Sequence, residues 1–195
     1  MTPLLRHLAL VCVSAIVVAA CGGAAVAPSP TVTASAASTS SAAPPATQTP
    51  TVYNFIADLK ATNEVPPIAD AEANCAGQAK IALSVLIDPS YYNVTSGKAT
   101  FDVTLSGCPA TTQIVLAHIH AGKASENGPV KVDTGLVATQ PIMFVGGAAT
   151  ILRKDIAVEP AVADDLIANP NNYYFNVHST AHGGGVVRGQ LFASR

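Results

Sequence analysis

The sequence predicts an all-β fold, an antiparallel Greek-key β-sandwich or barrel of about eight strands with one short helix. Three observations predict it: apolar and polar residues alternate with a period of two, the alternating runs are short, and Gly, Pro, Asn or Asp separate them. The clearest run is Ala99 to Ser106, in which every second residue is apolar. Such alternation places one face of a strand on a core and the other in water.

Less regular runs of the same kind predict the other strands, and turn sequences such as Asp88-Pro89-Ser90 and Asn127-Gly128-Pro129 separate them. One helix is predicted at residues 160–169, because Pro160 suits a first turn and three apolar side chains of the segment share a face. The further strand-like runs are residues 52–59, 79–87, 113–120, 130–133, 142–144, 149–156, 173–178 and 186–193.

Residues 1–20 resemble the signal peptide of a bacterial lipoprotein. Arg6 precedes an apolar run that is too short to span a bilayer comfortably. The run ends in Val18-Ala19-Ala20-Cys21, which resembles the lipobox of lipoprotein-processing enzymes. We therefore expect removal of residues 1–20 and a lipid on Cys21 that anchors the protein to the cell membrane or outer membrane. The alternative is an ordinary secretory signal with a free Cys21, and both place the mature protein outside the cytoplasm.

Residues 22–51 carry no charge and, apart from Val26, Val32 and Gln48, are all Ala, Ser, Thr, Pro or Gly. Such a stretch cannot bury a core, so it predicts a disordered tether with a root-mean-square span of about 30 Å. The sequence thus predicts three parts: a signal peptide at 1–20, a lipidated cysteine with its tether at 21–51, and one domain at 52–195.

The cysteines also indicate an oxidising compartment. Cys12 lies in the predicted signal and Cys21 would carry lipid, which leaves Cys75 and Cys108 for the domain. Two cysteines outside the cytoplasm predict one disulfide, which would stabilise the fold by about 4 kcal/mol on the chain-entropy estimate. Two separate buried thiols are the alternative.

Charge and motifs exclude several classes of function. Removal of Arg6 would leave nine Lys and Arg against twelve Asp and Glu, a net charge of −3 with no basic cluster, so nucleic acid is not an expected partner. The sequence has no Gly-x-Ser-x-Gly elbow, no phosphate-cradling loop and no His-Glu-x-x-His helix. It therefore gives little support for an enzyme.

Histidines are the residues most suited to chemistry. His118 and His120 lie two apart on a predicted strand, so both point to the same face, and His178 ends another predicted strand. If the two strands are neighbours, the three imidazoles could hold copper or zinc. The alternative is that they form hydrogen bonds at strand ends. His182 could be a fourth ligand but is more typical of an exposed loop residue.

Arg188 lies on the last predicted strand and has two interpretations. It could attract an anion to a metal or a pocket, or it could have a structural role and pair with a carboxylate such as Glu64 or Asp102. The sequence favours the structural role.

Three stretches in order resemble the CHRD domain, a module repeated in the animal extracellular protein chordin and found singly in bacterial secreted proteins. The resemblance covers residues 55–192 and departs from the family at Val186, where an acidic residue usually precedes the Arg-Gly-Gln-Leu end. It implies an extracellular β-rich module with no agreed activity in bacteria, and the growth factors bound by chordin do not carry over. The three stretches are Phe55 to Leu59 with Asn63 to Pro67, Ala117 to Gly122 with Asn127 to Val130, and Tyr173 to His178 with Gly184, Gly185 and Arg188 to Leu191.

A weaker similarity is to copper-zinc superoxide dismutase, which also has a His-x-His strand, a later Val-His and a downstream Arg on a Greek-key β-sandwich. The matching positions would be His118, His120, His178 and Arg188. The histidine that bridges the two metals and the zinc loop have no evident counterpart, which puts dismutase activity in doubt.

Two hypotheses for function follow. The first is a binding module for an unknown extracellular protein or small ligand, with no certain cofactor, and the sequence favours it slightly. The second is a mononuclear copper or zinc site of His118, His120 and His178. The two can be separated by geometry, because a metal site requires that the ring nitrogens converge within about 4 Å of one another.

Overall fold

The computed structural model describes residues 48–194, which contain ten strands, one α-helix and two short 3-10 helices, Ala61–Asn63 and Pro170–Asn172. The predicted signal segment, Cys21 and the tether up to residue 47 lie outside the described residues. In the described part, no helix is long and apolar enough to span a bilayer.

Every run that the sequence predicted as a strand is a strand in the structure. The last run divides at Leu191, because its first half pairs with β8 and its second half with β1. The predicted helix is α1, Pro160–Ala168, with a proline in its first turn. The strands are β1 (Thr51–Lys60), β2 (Ala76–Ile87), β3 (Val94–Ser106), β4 (Gln113–Ala121), β5 (Val130–Asp133), β6 (Ile142–Met143), β7 (Ala148–Val158), β8 (Tyr173–Ser179), β9 (Val187–Gln190) and β10 (Phe192–Ser194).

All strand pairs are antiparallel and form one sheet in the order β5-β4-β8-β9-β1-β2-β3-β7, with β6 beside β4 and β10 beside β1. Strands β5 and β6 at one end of this order approach β7 at the other, so the sheet is a nearly closed barrel. The predicted all-β class with one short helix is confirmed.

Apolar side chains fill the inside of the barrel, as the alternation predicts. On β3, Phe101, Val103 and Leu105 are buried whereas Asp102 and Thr104 are exposed. The ring of Phe101 packs on that of Phe175 from β8, with 5.7 Å between ring centroids. The interior therefore joins strands from both halves of the sheet.

Strand β8 differs from β3, because all seven of its residues are buried on both faces. Three connections lie over its outer face: the β1–β2 connection (residues 61–75), the β4–β5 loop (residues 122–129) and the β8–β9 loop (residues 180–186). We call this the covered face, and its polar members are His118, His120, Tyr174, Asn176, His178 and Arg188. The exposed side of β3, with Asp102, Thr104 and Ser106, is called the open face.

The predicted disulfide is present between Cys75 and Cys108. It joins the end of the β1–β2 connection to the turn between β3 and β4. One of the three connections over the covered face is therefore covalently held to the barrel.

Candidate metal centre

The three predicted histidines converge on the covered face. Strand β4 pairs with β8 so that His118 lies opposite Asn176 and His120 opposite Tyr174, which brings His178 next to both histidines. One ring nitrogen from each histidine lies within 4.8 Å of the other two, and His118 Nδ1 is 3.1 Å from His178 Nε2. The three nitrogens therefore converge, within a limit somewhat wider than the distance of about 4 Å expected from the sequence.

Backbone carbonyls fix the orientation of two of these rings. His120 Nδ1 donates to the Gly128 carbonyl at 2.9 Å, and His178 Nδ1 donates to the Gly183 carbonyl at 3.0 Å. A carbonyl oxygen can only accept, so each Nδ1 carries a proton and each neutral ring has its lone pair on Nε2. His120 Nε2 is buried and has no hydrogen-bond partner among the described residues.

His118 completes the arrangement from the opposite side. Its Nε2 lies 3.8 Å from Asp133 Oδ1, because Asp133 is its cross-strand neighbour on β5. His118 Nδ1 donates a hydrogen bond to His178 Nε2 in the metal-free protein, because His178 Nε2 carries a lone pair, and a metal ion would replace this proton. Ligand histidines in metal sites donate their second ring nitrogen to a carbonyl or a carboxylate, as His120 and His178 do here. Asp133, by contrast, lies beyond hydrogen-bond distance of His118.

Burial keeps all three imidazoles neutral at physiological pH. The exposed fractions of His118, His120 and His178 are 8, 9 and 5 %. Burial lowers the pKa of His178 to about 4, and the neighbouring histidines lower it further while the Gly183 hydrogen bond opposes this. Burial is also the main cause that lowers the pKa of His118 and of His120. Neutral imidazole is the form that binds metal ions.

Tyr174 and Gly128 hold His120 from two directions. The phenol ring of Tyr174 stacks on the His120 ring at 5.0 Å and 9°, and its hydroxyl accepts a hydrogen bond from the Gly128 backbone N–H. A Cβ atom on Gly128 would lie 1.5 Å from the Ala121 carbonyl, so only glycine fits there. The Gly128 carbonyl can therefore reach His120.

Arg188 is buried over the Tyr174 ring, 4.7 Å from its centroid. The prediction that it pairs with Glu64 or Asp102 is wrong, because within the described chain no carboxylate lies at ion-pair distance from its guanidinium. It donates instead to Asn63 O, Glu126 O and Asn127 Oδ1. These bonds join the β1–β2 connection and the β4–β5 loop to β9.

His182 does not join the histidine cluster. Its Nε2 lies 3.0 Å from Asp70 Oδ2 and 3.6 Å from Glu72 Oε2, and Glu72 accepts hydrogen bonds from two hydroxyls. This pairing ties the β8–β9 loop, which supplies the Gly183 carbonyl, to the β1–β2 connection.

Sequence reasoning missed Tyr174, Asn176 and Asp133. A signal for the first two was available, since Tyr174, Asn176 and His178 alternate along one strand and therefore share a face. Asp133 gave no such signal, because only the pairing of β4 with β5 brings it to His118.

Comparison with known proteins identifies the family. No curated protein and no solved structure matches the chain, so the similarity to copper-zinc superoxide dismutase gains no support. The family model of the CHRD domain matches residues 55–191, well over half of the chain and nearly all of the barrel. The chain therefore belongs to the CHRD domain family.

Proposed function

We propose that this CHRD domain is a binding module for one copper or zinc ion. The ligands are His118 Nδ1, His120 Nε2 and His178 Nε2. The observation that carries the proposal is that three ring nitrogens converge while the other nitrogen of His120 and of His178 donates to a backbone carbonyl. The unpartnered Nε2 of His120 supports it, since a buried polar atom without a partner costs about 1–3 kcal/mol that a metal ion would remove.

The donor set favours copper or zinc over hard cations. Three neutral imidazoles suit both metals, whereas calcium and magnesium require oxygen ligands. Three protein ligands also leave a coordination position for water or a small ligand.

Metal titration tests the proposal. We expect purified protein, stripped with a chelator, to take up one copper or zinc ion per chain, measured by elemental analysis after gel filtration. The His118→Ala, His120→Ala double variant should lose this uptake. His182→Ala is the matched control, because it removes a nearby histidine outside the cluster and should bind as the unaltered protein does. Equal uptake by the double variant would contradict the proposal.

We also propose that the protein is lipid-anchored through Cys21 outside the cytoplasm. The lipobox-like Val18-Ala19-Ala20-Cys21 and the Cys75–Cys108 disulfide support this. Cys21→Ser should move the protein from the membrane fraction to the soluble fraction, whereas Cys12→Ser, inside the predicted signal, should not. A Cys21→Ser protein that stays with the membrane would exclude the lipid anchor.

A further inference from the structure

A cavity of about 360 Å³ lies beside the histidine cluster, between the β1–β2 connection, the β4–β5 loop and the end of β9. None of the three histidines lines it. Tyr174 separates the two regions, because its ring stacks on His120 and also forms part of the cavity wall. Other wall residues that matter here are Thr62, Glu64, Ser125 and Arg188.

Arg188 places a positive charge in this wall without a partner of opposite charge in contact. Its side chain is 3 % exposed, and its three hydrogen-bond acceptors are neutral oxygens. The third nitrogen of the guanidinium, Nη2, is buried and has no acceptor among the described residues. An uncompensated buried charge costs several kcal/mol, so this guanidinium is suited to receive an anion.

Glu64 offsets this charge only in part. Burial raises the pKa of Glu64 to about 7, although the charge of Arg188 lowers it, so near neutral pH the carboxyl group is partly protonated. Its Oε1 lies on the side of Asn176 and Gly185 and also has no hydrogen-bond partner. The carboxyl group therefore does not occupy the place that a counter-ion of Arg188 would take.

The cavity wall also contains two residues with hydroxyl groups. Thr62 and Ser125 are both exposed and both line the cavity. Ser125 has a left-handed backbone with φ 72°, a conformation that non-glycine residues rarely adopt. Such conformations concentrate in ligand-binding segments, where the surrounding structure holds them.

We propose that this cavity binds a small organic carboxylate, held by Arg188 Nη2 and by the hydroxyls of Thr62 and Ser125. Nη2 is the guanidinium nitrogen that has no protein acceptor, so it would donate a charge-assisted hydrogen bond to one carboxylate oxygen, and the volume accommodates an acid of a few carbon atoms. This site is separate from the proposed metal site and does not depend on it.

Ligand titration of the full chain, with a chelator present, tests the proposal. Malonate should bind in calorimetry and raise the melting temperature, relative to chloride at the same ionic strength. Thr62→Val should weaken malonate binding by about 10- to 150-fold, since a hydrogen bond to a charged group contributes about 1.5–3 kcal/mol. Arg188→Lys should abolish it, and Thr62→Val keeps the test valid if Arg188→Lys fails to fold. Thr104→Val on the open face is the control and should bind malonate normally.

Three results would overturn the proposal. The first is a malonate effect no larger than that of chloride. The second is equal binding by Thr62→Val and the unaltered protein. The third is inorganic phosphate binding more tightly than malonate, which would assign the cavity to another anion. Because a chelator is present throughout, none of these results bears on metal binding.

Discussion

The covered face and the open face are built from the same kind of strand but have opposite surroundings. On the open face, Asp102, Thr104 and Ser106 point into water, as polar residues on the outside of a barrel do. On the covered face, His120, Asn176 and the rest of the polar set are buried. The polar residues of the covered face are therefore shielded from water by the three connections, whereas the polar residues of the open face are solvated.

The covered face and the open face differ most in their buried polar atoms that lack a hydrogen-bond partner. In residues 48–194 four buried side-chain atoms have no hydrogen bond, namely Glu64 Oε1, His120 Nε2, Asn176 Oδ1 and Arg188 Nη2. All four lie on the covered face or in the connection over it. Each unpartnered group costs about 1–3 kcal/mol, and such groups are rare in native proteins. This concentration of unpartnered atoms supports the proposed ligand sites on the covered face.

Removal of one ligand histidine should give the largest difference between the faces. His178→Asn leaves two imidazoles, so we expect the affinity for copper or zinc to fall by more than about a hundredfold. Thr104→Ala should leave the affinity unchanged. Competition with a chromophoric chelator measures both, and a His178→Asn protein that binds normally would separate the cluster from metal binding.

Two glycines allow a matched test of backbone fit. In Gly128→Ala the new Cβ would lie 1.5 Å from the Ala121 carbonyl, so the β4–β5 loop must shift and its carbonyl must leave His120. We expect a loss of about 3 kcal/mol or more in the free energy of unfolding, together with weaker metal binding. Gly184→Ala meets no atom within 4 Å and should change stability by less than about 0.5 kcal/mol. Urea unfolding measures the free energy of unfolding of both variants. Similar losses in the two variants would contradict the inference that only glycine fits at position 128.

The strands, the helix and the shared face of His118 and His120 could be predicted from the sequence, because each follows from a local period, whereas their convergence with His178 depends on the pairing of β4 with β8. In the pattern His118-Ile119-His120, the two histidines lie two residues apart and therefore point to the same face of β4, independently of the strands that pair with it. The division at Leu191 could not be predicted, since it depends on which neighbour each half of the run meets.

The sequence also could not predict whether the outer face of a strand is exposed to solvent or buried under a connection. The Arg188 guanidinium bonds Asn63, 125 residues away along the chain, and only the closed barrel brings the two together. Alternation gives the same polar signal at Thr104, which is exposed, and at Asn176, which is buried. The three connections that bury Asn176 have no regular alternation of apolar and polar residues, so their position over β8 could not be predicted from a sequence pattern.

The dependence of the free energy of unfolding on pH should distinguish the contributions of two buried groups, Glu64 in the β1–β2 connection and His178 on the covered face. The raised pKa of Glu64, from 4.5 to about 7, contributes stability below pH 4.5 that is lost as the pH rises through 7. The lowered pKa of His178, from 6.5 to about 4, contributes stability above pH 6.5 that is lost as the pH falls through 4. Between pH 4.5 and 6.5 the two contributions offset each other in the metal-free protein.

Glu64→Gln should remove one of these two contributions. Relative to the unaltered protein, the variant should gain stability between pH 4.5 and 7, by up to about 3 kcal/mol on the conversion of pKa shifts to free energy. Urea unfolding of chelated protein at several pH values measures the difference. Parallel curves for the two proteins would show that Glu64 keeps its ordinary pKa in the folded state.

The smallest change in the free energy of unfolding is expected for a substitution on the open face, and the other variants can be compared with it. Asp102 is exposed and lies opposite the exposed Lys80 of β2, so Asp102→Asn removes at most a solvated charge pair. Such pairs contribute about 0–1 kcal/mol, so the free energy of unfolding should fall by less than about 0.5 kcal/mol. Metal uptake and malonate binding should not change. A loss above about 2 kcal/mol would mean that this side is also covered, and the contrast between the two faces would then no longer locate the ligand sites.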